Sequence, residues 1–268
     1  MNEQQKRIVV VGATGLIGAR VMTRLTRRGL DVVGVSRELG VNAFTAEGLA
    51  EAMEGADVVI DVSNSSYADE AGAREYFETA TLNLLTYGRA VGVQHHVVLS
   101  IVGVDRLSGA EGGYFRAKWE QERLVRTANV PYTIVHATQF FEFIRSIADF
   151  ASHGDGVRVA HTLVQPMAAH DVADAVVIAA LGEPANGIVE WAGSDRHHLQ
   201  EFVRQRLRAG RDAREVEADP LARFFGNQFT EHMLLPGPDA AIAPTRFADW
   251  LMAGDGRPGI WPGEKASS

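Results

Sequence analysis

The chain has 268 residues, 46% of them hydrophobic, and a formal net charge of −8, which suits one large α/β domain or a domain with a smaller appendage and argues against nonspecific attraction to nucleic acid phosphates. It contains no cysteine, so disulfides, thiolate nucleophiles and zinc–thiolate sites are excluded. No apolar stretch reaches membrane-spanning length and Met1 to Arg7 is too short and polar for a targeting segment, so a cytoplasmic protein without membrane contact is expected.

The chain opens on its strongest signal. Ile8 to Val11 is an apolar, β-branched run that meets glycines 12, 15 and 18 at G-x-x-G-x-x-G spacing. Val21, Met22 and Leu25 follow at close to helical spacing. A buried strand that turns through such a loop into a helix points backbone N–H groups at an anion. Gly12 permits the tight turn, Gly15 lets the backbone approach a pyrophosphate, and Gly18 lets the helix pack closely on the sheet. Thr14, Leu16 and Ile17 belong to the same loop.

Further strand-like runs are 31–37, a short weak one near Val41 to Phe44, 58–62, 96–100 and 132–135. Helices are expected at 47–53, about 70–91, about 114–127, 142–152, 171–181 with Asp171 as cap or first turn, and 199–209. Strands alternating with helices predict a doubly wound parallel sheet. Ligands bind such a sheet at the carboxyl ends of its strands. That rule selects 12–18, 36–37, 62–64, 100–103 and 136–140.

Ser36 and Arg37 end the second strand, where an NAD site commonly has an acid. A guanidinium forks onto a 2′-phosphate and a serine hydroxyl adds a hydrogen bond, which favours NADP; the alternative is a solvated arginine beside Glu38. Ser63 and Asn64 follow the 58–62 strand and face the nicotinamide ribose or form a plain turn. Ala137 offers backbone to the carboxamide, and Gln139 or Phe140 faces substrate; His136 reads as a structural histidine rather than a catalytic acid. Tyr114 and Lys118, four apart on a helix, share a face. An ammonium there favours the phenolate, and the phenol then passes a proton to a carbonyl oxygen. Neighbouring histidines, as in His95-His96 and His197-His198, diverge, so no metal site is expected. Phe224, Phe225, Phe229, Met233 and Leu234 either cap an apolar substrate pocket or belong to the core.

These motifs resemble the short-chain dehydrogenase/reductase superfamily, in its atypical NmrA-like branch. The residues are Val11 to Gly18, Ser36-Arg37, Leu99 to Asp105, Tyr114 to Lys118 followed by Glu122, and Pro131 to Val135; the likeness covers roughly 7–180. It implies a Rossmann-type fold with a small C-terminal substrate-binding portion. Residues 1–255 then form one NAD(P)-binding domain, with about 140–255 shaping the pocket and 256–268 a flexible tail. The resemblance also implies a catalytic set of Ser100, Tyr114 and Lys118. Ile101 and Val102 stand where the superfamily serine often lies, and Ser-x-x-Gly resembles instead the isoflavone-reductase-like relatives, in which the lysine acts. The expected function is NADPH-dependent reduction of a small carbonyl, enone or quinone-like compound. The alternative is a non-catalytic NADP(H)-binding redox sensor. Related folds often dimerise, which leaves a homodimer open, although no interface is legible and the sequence does not fix the oligomeric state.

Overall fold

The protein is described here by a computed structural model that covers residues 6–65, 69–107, 113–222 and 230–254. The first half alternates β1 (Arg7–Val11), α1 (Gly18–Arg27), β2 (Asp31–Val35), α2 (Leu49–Met53), β3 (Val58–Asp61), α3 (Glu70–Val91), β4 (His95–Ile101), α4 (Val104–Leu107), α5 (Gly113–Thr127) and β5 (Tyr132–Ala137). Then come α6 (Ile144–Phe150), β6 (Ser152–His153), β7 (Gly156–Ala160), β8 (Leu163–Val164), α7 (Ala169–Leu181) and β9 (Gly187–Ala192). The last described elements are β10 (His197–His198), α8 (Leu199–Ala209), β11 (Glu215–Asp219), β12 (Ala241–Ile242) and α9 (Phe247–Met252). No helix among the described residues is long and apolar enough to cross a membrane.

Seven strands form one sheet in the order β12-β9-β5-β4-β3-β1-β2, and every pairing is parallel. This is the Rossmann-like doubly wound sheet that the alternation predicts. Its order reverses at β1. Val11 pairs with Val35 on one side and Asp61 on the other, so three strand ends lie flush at the crevice where such sheets bind ligands.

Burial on both faces explains the unbroken apolar run of β1. Ile8 and Val10 pack with Val21 and Leu25 of α1 and with Val172 and Val176 of α7. Val9 and Val11 pack on the opposite face with Leu49 and Met53 of α2 and Leu84 of α3. A third cluster joins Phe77 of α3 and Phe115 of α5 to Phe141, Phe202, Phe247 and Trp250. The later elements thus share a core with the glycine-turn half.

Four expectations need correction. Residues 41–44 form no strand: Asn42 Oδ1 accepts the N–H groups of Phe44 and Thr45, and this side-chain turn displaces a ladder. The 142–152 helix starts as a 3-10 turn over Phe141–Phe143 and ends at Phe150, with Ser152 and His153 in β6. The helix expected from Asp171 begins at Ala169, and its free N–H at Ala169 is taken by the distant Glu142 carboxylate at 3.0 and 3.1 Å. Asp171 lies in the first turn and accepts instead from Thr245 N. Strand β9 was unforeseen, because Glu190 interrupts its short apolar run. The tail at 256–268 lies outside the described residues.

Gly18 starts α1 directly over the turn. A Cβ there would lie 2.0 Å from the Gly12 carbonyl oxygen and 2.8 Å from Ala13 Cα. We expect Gly18→Ala to destabilise the protein by about 1–3 kcal/mol or more, the cost of forcing atoms into packed structure, read as a lower denaturant midpoint. Gly210→Ala, where the added Cβ meets nothing nearer than 3.5 Å, is the control. Equal midpoints for the two variants would refute the packing argument.

Candidate active site

The glycine turn is built by close backbone contact. Gly12 has φ +81°, and a Cβ there would lie 2.8 Å from Ser63 Cα and 2.9 Å from Ser63 N. Only glycine lets the end of β1 pass the loop after β3. The turn is closed by Gly12 N–H to Val35 O at 2.9 Å and Gly15 N–H to Gly12 O at 3.0 Å. Helix α1 follows with no acidic residue in its first turn and with Arg24 and Arg27 in its last. Its positive end is therefore not neutralised by its own sequence, as an anion site requires.

The turn forms one wall of a cleft of about 880 Å³. Of the residues selected from sequence, Gly12, Thr14, Gly15, Leu16, Ile17, Ser36, Arg37, Ser63, Asn64, Ser100, Tyr114 and Lys118 line it. Two do not. Gly18 serves the packing just described. Ala137 is buried in the core, and its carbonyl accepts the Val102 N–H at 3.0 Å, so it is not offered to a ligand. At one end of the cleft Arg37 is exposed, its guanidinium with no hydrogen bond or ion pair among the described residues. Ser36 Oγ accepts the Leu39 N–H and caps the short 3-10 turn that carries Arg37.

Lys118 is 3% exposed. Its Nζ donates to Leu99 O at 2.8 Å and to Gln121 Oε1 at 2.5 Å. Gln121 Nε2 in turn donates to the buried Asp61 carboxylate at 2.8 Å, whose other oxygen accepts the Ser63 N–H at 2.9 Å. The ammonium also lies over the Phe77 ring, 4.7 Å from its centroid. Burial pulls the Lys118 pKa down to about 8, with Asp61 and Glu122 opposing. The Tyr114 hydroxyl, four residues earlier on α5, donates to Asn64 Oδ1 at 2.7 Å.

Ser100 points elsewhere. Its hydroxyl donates to Glu122 Oε1 at 2.5 Å. Glu122 is 0% exposed and also meets His136 Nε2 at 2.7 Å and Arg126 Nη2 at 2.6 Å. His136 Nδ1 lies 3.8 Å from Glu190. With its proton committed to Glu122, Ser100 holds this buried network together rather than serving the cleft. His136 belongs to the same network, as a structural histidine. Of the aromatic cap, Phe224, Phe225 and Phe229 lie outside the described residues. Leu234 belongs to the core and Met233 packs against it.

Sequence reasoning missed Asp61, Gln121, Tyr76 and Phe143. The signal for Asp61 was present: a carboxylate inside the apolar run 58–62 needs a buried partner. Phe143 stacks on Phe140 at 5.7 Å, and both line the cleft.

A nicotinamide dinucleotide suits these residues. The Gly12 contact leaves a side-chain-free cradle between the end of β1 and the loop after β3, and the Ser63 hydroxyl stands in the cleft wall beside the Tyr76 phenol. The sequence comparison agrees. A family model described as NAD(P)H-binding matches residues 39–184, more than half of the chain. The chain belongs to this NAD(P)H-binding family. The glycine turn precedes the matched stretch and rests on the geometry above.

Among curated relatives of this family member, divinyl chlorophyllide a 8-vinyl-reductase of Cucumis sativus is 28% identical over 218 residues, 68% of this chain and 51% of that protein. Photosystem II assembly factor Ycf39 of a Synechocystis strain is 26% identical over 150 residues, 51% of this chain and 45% of that protein. The chain spans about half the length of the curated relatives it matches. Among solved structures, MoeE5 in complex with UDP-glucose and NAD has a TM-score of 0.67 at 17% identity, over 93% of this chain and 98% of that one. A short-chain dehydrogenase/reductase superfamily protein from Agrobacterium tumefaciens with bound NAD has a TM-score of 0.68 at 14% identity, over 92% and 95%. At these identities the structural likeness shows the fold.

The Glu122 network generates a pH prediction. Burial works against the His136 cation, but the Glu122 and Glu190 carboxylates outweigh it and raise its pKa. A raised histidine contributes stability that is complete below its unfolded pKa of about 6.5 and is lost as pH climbs through the folded value. Unfolding free energy is therefore expected to fall as pH rises above about 6.5. Glu122→Gln should cost on the order of 3 kcal/mol below that pH and flatten the slope. A slope unchanged in the variant refutes the assignment.

Proposed function

We propose that the protein is an NADP-dependent reductase of a small carbonyl, enone or quinone-like compound. The observation that carries this reading is a buried ammonium and a phenol one helical turn apart in a cleft walled by the glycine turn. A bound reduced nicotinamide would supply hydride. The turn from Gly12 to Ile17 holds the pyrophosphate, and Ser36 and Arg37 take the 2′-phosphate. Ser63 and Asn64 face the nicotinamide ribose.

Lys118 keeps two of its three protons on Leu99 O and Gln121 and aims the third at a ribose hydroxyl or at the substrate oxygen. There the positive charge stabilises the developing oxyanion in a site with little water. Tyr114 supplies the proton after leaving Asn64. Ser100 is not assigned to the catalytic set. The relation to a protein named as a vinyl-reductase supports reduction as the reaction class. A cytoplasmic setting and a homodimer belong to this proposal; nucleic acid and membrane do not.

A second reading, a non-catalytic NADP(H)-binding sensor, draws on the Tyr114–Asn64 bond and on the relative named as an assembly factor. NADPH consumption with a panel of quinones, enones, ketones and aldehydes separates the two. Tight NADPH binding with no turnover on any of them favours the sensor.

Two sharper expectations follow from the residues. The Lys118 ammonium persists below about pH 8 and becomes an amine above it, so kcat should fall as pH rises through that value. Lys118→Ala should lower kcat by about 100-fold or more. Lys118→Arg, which does not titrate, should lose the alkaline limb; a limb retained in this variant assigns it to another group. Arg37→Ala should weaken NADPH by about tenfold or more, the worth of a charged hydrogen bond, and leave NADH nearly unchanged. Equal weakening of both nucleotides removes the 2′-phosphate contact.

A further inference from the structure

Sequence spacing gives no metal site, because His197 and His198 diverge as neighbours. Folding brings a different set together. One ligand atom from each of His161, His198 and Glu231 lies within 4.8 Å of the other two. His161 follows β7, His198 closes β10, and Glu231 comes from a third segment. The two imidazole rings stack with centroids 4.4 Å apart and planes 19° from parallel. His198 Nε2 is 3.7 Å from Glu231 Oε1. His198 Nδ1 is sealed from solvent without a hydrogen-bond partner among the described residues.

The backbone holds this trio in place. Strand β10 pairs antiparallel with β8, setting His198 opposite Leu163. Leu163 N–H donates to Glu231 O at 2.9 Å, and Leu199 N–H donates to Thr162 O at 2.9 Å. All three donors therefore sit on hydrogen-bonded neighbours. A divalent cation satisfies all three at once.

We propose that His161, His198 and Glu231 bind one divalent transition-metal ion of the zinc type. Two imidazole nitrogens and one carboxylate oxygen form a borderline-soft donor set that suits zinc better than magnesium or calcium, which take oxygen ligands. Tetrahedral zinc needs donor atoms about 3.3 Å apart and nitrogen lone pairs that converge, so the exposed His161 ring must swing out of the stack as the three side chains close. His232 Nε2 lies 3.9 Å from the other Glu231 oxygen, and it or water fills the fourth position.

The ion acts as a clasp and takes no part in the proposed reduction, since none of its ligands lines the cleft. From Glu231 the chain runs to Met233 and Leu235, whose carbonyls accept the Arg106 guanidinium of α4 at 3.1 Å each. The segment is thus held by Arg106 at one end and by the metal at the other.

The test uses the full chain, free of any histidine tag and stripped with a chelator. It is titrated with Zn²⁺ by calorimetry and with Co²⁺ by visible absorption. The expected result is one saturable site per chain, a tetrahedral Co²⁺ spectrum and a higher unfolding temperature with Zn²⁺. His198→Ala should weaken Zn²⁺ by more than about tenfold, beyond the low end for loss of an outer partner. Glu231→Gln, nearly isosteric and partly exposed, should do the same with an unchanged circular dichroism spectrum, which separates lost ligation from lost folding. No saturable uptake, or uptake equal in wild type and Glu231→Gln, overturns the proposal.

Discussion

A buried ammonium is the constraint around which this cleft is organised. Taking a lysine charge out of water costs several kcal/mol unless neighbours replace its hydration. Lys118 meets that demand with a backbone carbonyl at the end of β4, a glutamine on its own helix, and a carboxylate reached through that glutamine. Asp61 lies at the end of β3, so the chain of bonds ties α5 to two adjacent strand ends at once. The same Asp61 carboxylate fixes the Ser63 N–H, and Ser63 is the residue against which Gly12 packs. The glycine turn and the lysine are therefore two ends of one connected structure. Helix α5 is tied to that loop twice, through Gln121 and Asp61 and through the Tyr114–Asn64 bond.

Helix α5 presents two polar systems from one face, because positions three and four apart stand side by side. Lys118 and Gln121 look toward the cleft and Asp61. Glu122 gathers Ser100, His136 and Arg126 into a compensated cluster beside it. The two systems divide the work. The Glu122 cluster satisfies every strong charge it contains and leaves no hydroxyl for a substrate. The lysine system makes two hydrogen bonds and otherwise faces only the Phe77 ring among the described residues, and burial pulls its pKa toward neutrality. Reactivity follows the system that is less completely satisfied.

The parts legible from sequence are those where one residue type or one period decides the outcome. Gly12 and Gly18 were readable because close backbone contact admits no other residue. The strands β1, β3, β4 and β5 were readable because burial on both faces gives each a continuous apolar run at its centre, such as Val97 to Leu99 in β4. The roles of Ser100 and Ala137 were not readable. Strand-end position places a residue near the crevice, but the direction of a hydroxyl or the use of a carbonyl depends on partners far along the chain, here Glu122 and Val102. Long-range assembly likewise hid the grouping of His161, His198 and Glu231, since periodicity reports only what neighbours in sequence do. Strand β9 escaped for a third reason: it packs near the sheet edge beside the two-residue β12, where an apolar alternation is not required.

What divides a reductase from a sensor in this cleft is the destination of one proton. Asn64 Oδ1 accepts both the Ser65 N–H and the Tyr114 hydroxyl. The phenol is thus held by the loop after β3, the same loop that contributes Ser63 and Asn64 to the nucleotide side of the cleft. A ligand that draws Asn64 toward itself weakens its hold on the phenol. If a substrate oxygen then receives the proton, the bond served to keep an acid in reserve. If no acceptor enters, the same displacement reports that the nucleotide has bound. Both outcomes use the same residues and the same geometry. The choice between them lies in the pocket wall contributed by Phe140 and Phe143, which stand in the same cleft as the phenol.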